Sequence, residues 1–475
     1  MALWRSTVIV SAMTMLSRVL GLVRDIVLLN VFGAGKDFDT FVVAFRIPNF
    51  FRRLFAEGAF SQAFIPVLTE YKTGRTHAEV QILISRVFGC LMTVMTALTF
   101  IAMVAAPAVL YIYAPGFHAD PEKFDLAVSM FRLTIPYLLF MSLTAFASSI
   151  LNSYGSFASP AFSPVLLNVA MIAGAWWLTP YMAEPIMALG WAVIAAGVLQ
   201  LAIQIPELWH KKLLIPPKVD FKHEGVDRIM KLMLPALFGV SVTQINLLLN
   251  TIWASFMQDG SVSWLYSAER MTELPLGLIG VAIGTVILPA LSTRHAEQDM
   301  SKFRGMMDWA AKVIVLVGVP ASIALFMLST PIIQALFQRG QFTIEDTQMT
   351  ALALQCMSAG VISFMLIKVF APGFYAQQDT KTPVRVGLMA VAANAILNVV
   401  FIGFFKLIDW QAEHMALALA SSGSALVNAG MLYFYLHKRD IFRFGAHWKK
   451  LFIQFGISNA VMIVALWYAL TWYNG

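Results

Sequence analysis

Residues 39–70 read DTFVVAFRIPNFFRRLFAEGAFSQAFIPVLTE. The stretch is mostly apolar and long enough to cross a bilayer, yet its middle holds Arg46, Arg52, Arg53 and Glu57. An arginine facing lipid at mid-membrane costs about 2.5–3.5 kcal/mol on insertion scales, so such residues normally face a water-filled cavity or a protein partner. The segment therefore reads as one wall of a cationic cavity inside a membrane transporter.

The remainder of the chain has the same character. Of its 475 residues, 59% are hydrophobic and 12% charged, with a mean hydropathy of +0.73. A soluble protein carries roughly 25% charged residues. Long apolar runs recur throughout, the pattern of an all-α polytopic membrane protein; a β-barrel would alternate polar and apolar residues along each strand. The net charge of +7 sits in short connections between spans, as the positive-inside rule expects, and no basic domain stands apart to bind nucleic acid. Cys90 and Cys356 lie inside apolar runs and read as small buried hydrophobes. Near the N-terminus, Ser17, Arg18, Arg24 and Asp25 interrupt the apolar run, so it reads as a mature span and not a signal peptide.

Thirteen spans are expected, at about 6–32, 38–66, 84–113, 126–150, 160–180, 185–207, 228–256, 262–291, 307–329, 347–374, 384–405, 412–436 and 449–472. Even-numbered connections collect Lys72, Arg75, Lys211, Lys212, Lys218, Lys222, Arg294, Lys302, Arg304, Lys381, Arg385, Lys438, Arg439 and Arg443. The odd ones hold only Lys36, Lys123, Arg339 and Lys406, with several acids. This asymmetry predicts a cytoplasmic N-terminus and places WYNG at the chain end outside. A faint repeat runs at an offset of 223 residues: Pro66 falls on Pro289, Pro160 on Pro383, and FIPVLTE (64–70) overlies ILPALST (287–293). The charged second span then overlies the charged eighth, which suggests a parallel duplication. The expected organisation is an N-terminal lobe (1–209, spans one to six), a cytoplasmic linker (210–227), a C-terminal lobe (228–440, spans seven to twelve) and an additional C-terminal span (441–475). The fold class is two pseudo-symmetric six-helix lobes around a central cationic cavity, plus a C-terminal helix.

Helical spacing sorts the polar residues into faces. In the first span, Thr14, Ser17, Arg18, Gly21, Arg24 and Asp25 share one face, opposite Val19, Leu22, Val23 and Ile26. In the second, Arg46, Asn49, Arg53 and Glu57 share a face with Arg52 at its edge. Pro48 removes one backbone donor there, and Gly58 and Ser61 allow close helix approach. Arg53 and Glu57 stand at i, i+4 and are expected to pair, which leaves Arg52 as the better ligand. In the eighth span, Ser263, Ser267, Arg270, Glu273 and Gly277 share a face, with Glu269 beside Arg270. Thr243, Asn246 and Asn250 line a face of the seventh, as cavity lining or as interhelical hydrogen bonds. Lys368 and Arg132 are isolated and read as structural or interfacial. Arginines converging in one cavity imply an anionic ligand, since the planar guanidinium matches carboxylate and phosphate bidentately. The chain carries no HExxH, P-loop or aspartate-rich diphosphate–metal cluster. No catalytic residue, cofactor or metal is expected, and the protein does not read as an enzyme.

SAMTMLSRVLGLVRD, VFGAGKDFDTFVVAFRIPNFFRRLFAEGAFSQAFIPVLTEY, SVSWLYSAERMTELPLG and KVFAPGFYAQQDTKTPV closely resemble the MurJ (MviN) family of the multidrug/oligosaccharidyl-lipid/polysaccharide exporter superfamily. The resemblance covers nearly the whole chain. It implies a lipid II flippase of the bacterial cytoplasmic (inner) membrane, moving the undecaprenyl-diphosphate-linked peptidoglycan precursor from inner to outer leaflet. The family's functionally important positions match Arg18, Arg24, Asp39, Arg52 and Arg270. Together with the faces above, the implied substrate-binding set is Arg18, Arg24, Arg52 and Arg270. The gating or cavity-lining set is Asp25, Asp39, Arg53, Glu57, Glu273, Asn49 and Asn250. The family also has two further spans that resemble a groove for the lipid tail, one more than the single C-terminal span read here. Expected partners are lipid II, membrane lipids and cell-wall synthesis proteins. The expected mechanism is alternating access. The rivals are a flippase for another polyprenyl-diphosphate-linked oligosaccharide, a drug–cation antiporter, a membrane enzyme acting on polyprenyl phosphates, and a non-transporting scaffold. A cluster of arginines disfavours cationic drugs, and a scaffold needs no charged cavity.

Overall fold

The computed structural model describes residues 2–54 and 60–474. Glu57 and Gly58 lie outside the described residues, so the expected Arg53–Glu57 pair is not described either.

All regular structure among the described residues is helical. The helices are α1 (Ala2–Phe32), α2 (Lys36–Leu54), α3 (Phe60–Gly74), α4 (His77–Val104), α5 (Ala106–Tyr113), α6 (Pro121–Thr134), α7 (Tyr137–Ser153), α8 (Ala158–Ala173), α9 (Met187–Ala202) and α10 (Ile205–His210). They continue as α11 (Glu224–Ala254), α12 (Ser261–Pro275), α13 (Val281–Ala296), α14 (Met300–Met327), α15 (Ser329–Phe337), α16 (Ile344–Tyr375), α17 (Lys381–Leu407), α18 (Met415–Lys438) and α19 (Ala446–Asn474). Among the described residues, nine helical segments are long and apolar enough to cross a membrane. They fall on spans three to six and nine to thirteen. Spans one, two and eight carry the intramembrane charges, and the side chains of 234–244 in span seven are outside the described set. The count of thirteen therefore remains a reading of the sequence.

The repeat is carried by helix boundaries and caps. Shifting His77–Val104 by 223 positions lands on Met300–Met327, the bounds of α14. The same shift takes the start of α6 to that of α16, and the start of α8 to that of α17. Thr76 caps α4 by accepting from Glu79 N, and its partner Asp299 caps α14 by accepting from Lys302 N. Asp120 caps α6, and its partner Thr343 caps α16. Pro107 and Pro331 lie in the first turns of α5 and α15, where a proline's missing N–H costs no helical hydrogen bond. Both short helices follow a break after α4 and α14, although these two prolines miss the exact shift by one residue. Caps and prolines are local devices, so they register the repeat at the helix ends.

The chain divides into two compact units. The first comprises Met1–Gln244, Gln258–Val262 and Arg339–Phe342, and the second Ile245–Met257, Ser263–Gln338 and Thr343–Gly475. In the first, α3, α4 and α7 bury Phe64, Leu68, Leu83, Ile84 and Phe146, joined by Val226 from the start of α11 and by Leu213 from the segment after α10. That segment is a strap on α4. Lys218 N donates to Ser85 O (3.0 Å), Ser85 Oγ to Pro216 O (2.7 Å) and Gln81 Nε2 to Lys212 O (2.7 Å). Gly89 lies under Lys218, and a Cβ there would stand 2.8 Å from the Lys218 nitrogen. The second unit packs Phe303, Met307, Phe370, Phe374, Leu436 and Trp448 into one core. Trp448, at the start of α19, donates Nε1–H to Asp308 Oδ1 (2.7 Å) on α14. Cys90 and Cys356 are free and buried.

The turn between α16 and α17 shows how the second unit closes its ends. Asp379 accepts from Thr382 N (3.0 Å), Thr382 Oγ1 (2.6 Å) and Arg439 Nη1 (2.7 Å), which ties the turn to the end of α18. Burial alone would raise this carboxyl, but the bonds from Thr382 and Arg439 outweigh it and hold it at about 2, below the ordinary 3.8. A depressed carboxylate stabilises the fold fully above its ordinary pKa and loses that contribution as pH falls from 3.8 through about 2. Asp379→Asn is expected to cost about 1–2 kcal/mol at neutral pH. The difference in melting temperature from the parent should narrow as the pH is lowered through that window.

Candidate functional site

The polar face of α1 is anchored inside the first unit. Arg24 is only 6% exposed. Its Nε and Nη2 donate to Asp25 Oδ1 (3.0 and 2.6 Å), and its Nη1 donates to Asn168 Oδ1 (3.1 Å) on α8. Asn168 Nδ2 in turn donates to Ser17 O (3.0 Å), so one amide fixes both the guanidinium and the helix carrying it. Asp25 thus neutralises Arg24 locally inside protein, while Val19 and Val23 stand exposed on the opposite face as the periodicity predicts. Arg18 is exposed and makes no ion pair among the described residues.

On α2, Pro48 lies within the helix without ending it. Arg52 donates Nε–H to Asn49 Oδ1 (2.8 Å), which draws the guanidinium across the helix surface. Arg46 is buried, and Arg52 and Arg53 are half-buried. In the second unit, Arg270 donates Nη1–H to Glu273 Oε2 (2.9 Å) and Nη2–H to the Tyr266 hydroxyl (3.1 Å), with its guanidinium 4.9 Å from the Tyr266 ring centroid. A π-helical turn, Leu276–Gly280, follows at once. Asn250 belongs to an amide network: its Nδ2 donates to Ser421 Oγ (2.8 Å) and its Oδ1 accepts from Asn398 Nδ2 (3.2 Å). Arg132 donates to Met103 O (3.2 Å), an interhelical tie, and Lys368 is exposed on α16 beside Gly284.

Among the described residues, the structure brings together Arg24 with Asp25, Asn49 with Arg52, and Arg270 with Glu273. Around Asp39 it adds residues outside the candidate set, Lys123, Asp259 and Gly260. Asp39, 1% exposed, accepts from Lys123 Nζ (3.3 Å) and from Gly260 N (2.8 Å). Lys123 is itself bonded to Asp259. Lys123 reads in sequence as an ordinary connection charge, and only the first-turn position after the Asp120 cap marks it. Nearby, Lys36 bridges Asp120 (2.7 Å) and Glu122 (3.2 Å). The bond to Asp120 raises the Lys36 ammonium and holds the Asp120 carboxyl below its ordinary range.

Buried and paired charges on helices of an apolar chain define a polytopic membrane protein of transporter architecture. An inward-facing multidrug-resistance MATE transporter of the MOP superfamily has the same fold, with a TM-score of 0.73 at 12% identity over 91% of this chain and 97% of that one. The family model for the lipid II flippase MurJ matches residues 28–475. Curated relatives include the probable lipid II flippase MurJ of Vibrio cholerae, 44% identical over 98% of this chain and 89% of that protein. The lipid II flippase MurJ of Burkholderia cenocepacia is 40% identical over 98% of this chain and 89% of that one. A solved lipid II flippase MurJ in an inward closed conformation superposes with a TM-score of 0.82 at 26% identity, covering 97% and 93%. The chain belongs to the MurJ family of lipid II flippases.

Proposed function

We propose that this protein moves lipid II from the inner to the outer leaflet of the bacterial cytoplasmic membrane by alternating access, as a transporter and not an enzyme. The observation that carries the reading is the family match across residues 28–475, which spans the charged helices α2 and α12. The diphosphate enters a cavity open to the cytoplasm. Arg18 and Arg52 engage it from the first half of the chain and Arg270 from the second, while the lipid tail stays in the bilayer. Arg18, exposed and without an ion-pair partner among the described residues, makes the first contact. Arg24, paired with Asp25 and held by Asn168, fixes the face of α1 that carries Arg18. A membrane potential of 100 mV is worth about 2.3 kcal/mol per charge, which favours outward movement of an anion from a negative interior. The N-terminus is cytoplasmic and the connection at Asp120 periplasmic.

The test is leaflet accessibility in cells depleted of the protein. The precursor should accumulate where an external probe does not reach it; undiminished outer-leaflet exposure would overturn the reading. Cysteines placed beside Lys212 and Asp120 should label oppositely with an impermeant reagent, and equal labelling from outside would sink the orientation.

A further inference from the structure

Lys123 stands where a cation is disfavoured twice. It lies in the first turn of α6, at the positive end of the helix dipole, and it is 4% exposed. The repeat supplies an internal comparison. Its counterpart 223 residues on is Asp346, in the first turn of α16, which suits the dipole and accepts from Trp264 Nε1 (2.9 Å) on α12. Both halves thus use this position to tie the helix to an earlier one, but the first half inverts the charge. A local rule broken at a buried position marks a functional constraint.

That constraint is visible in the partners. Lys123 Nζ bonds Asp39 Oδ2 and Asp259 Oδ1, 4.2 Å from the Phe117 ring centroid. Asp39 Oδ2 also accepts from Gly260 N. Asp259 and Gly260 belong to Gln258–Val262, a short segment that packs within the first unit, although the chain on either side of it, Ile245–Met257 and Ser263–Gln338, belongs to the second. Without Lys123, Asp39 and Asp259 are two like charges at one site.

We infer that Lys123 is a positioning residue of the transport cycle, acting through Asp39: it docks Gln258–Val262 on the first unit, and this dock opens and re-forms as the two units move. The inference rests on the alternating-access reading. Lys123 fixes the Asp39 carboxylate as the acceptor for the Gly260 N–H and neutralises Asp259. Because the segment is covalently continuous with the second unit at both ends, relative motion of the units is felt there. Asp259 is the exposed rim of the bridge, so water reaches the ion pair from that side when it opens.

Ser261, 1% exposed in the docked segment, supplies the reporter. Full-length Ser261→Cys protein in lipid vesicles should react slowly with an impermeant maleimide. Adding Lys123→Met should raise that rate by at least roughly tenfold, the scale expected on breaking a buried charge pair. Lys123→Arg should keep it low, and Asp259→Asn, a milder change at an exposed residue, should raise it partway. Thr76→Ala, which removes the side-chain cap of α4 and bonds none of the bridge residues, should leave it low. Lipid II flipping in the same vesicles should fall with Lys123→Met and recover with Lys123→Arg. Unchanged labelling in both Lys123→Met and Asp259→Asn would overturn the dock. Raised labelling with wild-type flipping would overturn its part in the cycle. If the parent protein fails to move lipid II, the transport reading fails, while the labelling still decides the dock.

Discussion

Arg270→Ala is expected to abolish lipid II flipping while the protein still inserts and folds. The guanidinium is stacked on Tyr266 and bonded to Glu273, so its direction is set before any ligand arrives. Its side chain is 29% exposed, which leaves a face from which a diphosphate can be met. Charged hydrogen bonds contribute roughly 1.5–3 kcal/mol each, so losing a bidentate contact costs about 3–6 kcal/mol, or more than about a hundredfold in rate. Arg270→Lys should rescue only in part, because lysine keeps the charge but loses the fork. The competing account is that Arg270 serves only to pair with Glu273. That account predicts restored flipping in the Arg270→Gln, Glu273→Gln double variant, measured at matched expression, and such a restoration would refute the ligand role.

Gly340→Val is expected to be the most damaging single change outside the arginines. Gly340 has φ +59°, a left-handed conformation that a β-branched residue adopts only with strain. It also lies against Asn30: Gln341 N donates to Asn30 O (2.9 Å), and a Cβ on Gly340 would collide with both the carbonyl and the side chain of Asn30. Strain and collision together should cost about 3 kcal/mol or more and detach Arg339–Phe342 from the first unit. Gly155 provides the control. It shares the left-handed backbone, at φ +76°, but a Cβ there meets nothing within 4 Å. Gly155→Ala should lose only about 1–2 kcal/mol. Melting temperatures of the two variants should separate accordingly, and equal losses would remove the steric argument.

What the chain discloses in advance depends on how near a residue's partners lie in sequence. Helical spacing alone puts Ser17, Arg18, Arg24 and Asp25 on one face, and adjacency alone makes Asp25 the natural partner of Arg24. Arg270 and Glu273, three apart, are likewise legible. The third span begins earlier than its apolar run suggests, at the Thr76 cap, because hydropathy marks the lipid-facing stretch and not the helix end. The fourth is two helices, α6 and α7, where one was expected. Asn168 and Lys123 are opaque for another reason. Their partners lie 144, 84 and 136 residues away, and only packing brings them together. The 223-residue repeat shows faintly in two proline pairs; the helix caps that carry it are recognisable only once helix ends are known.

Helix α11 runs unbroken from Glu224 to Ala254, yet its residues up to Gln244 group with the first unit and those from Ile245 with the second. Its beginning is clamped: Arg228 Nη1 bonds Glu70 Oε1 (2.9 Å), and Arg75 Nη2 reaches Glu224 Oε2 (3.4 Å). The strap that precedes it, pinned along α4, has no slack to spend. The two assignments meet within this one helix, so Gln244 and Ile245 carry the chain from one unit into the other.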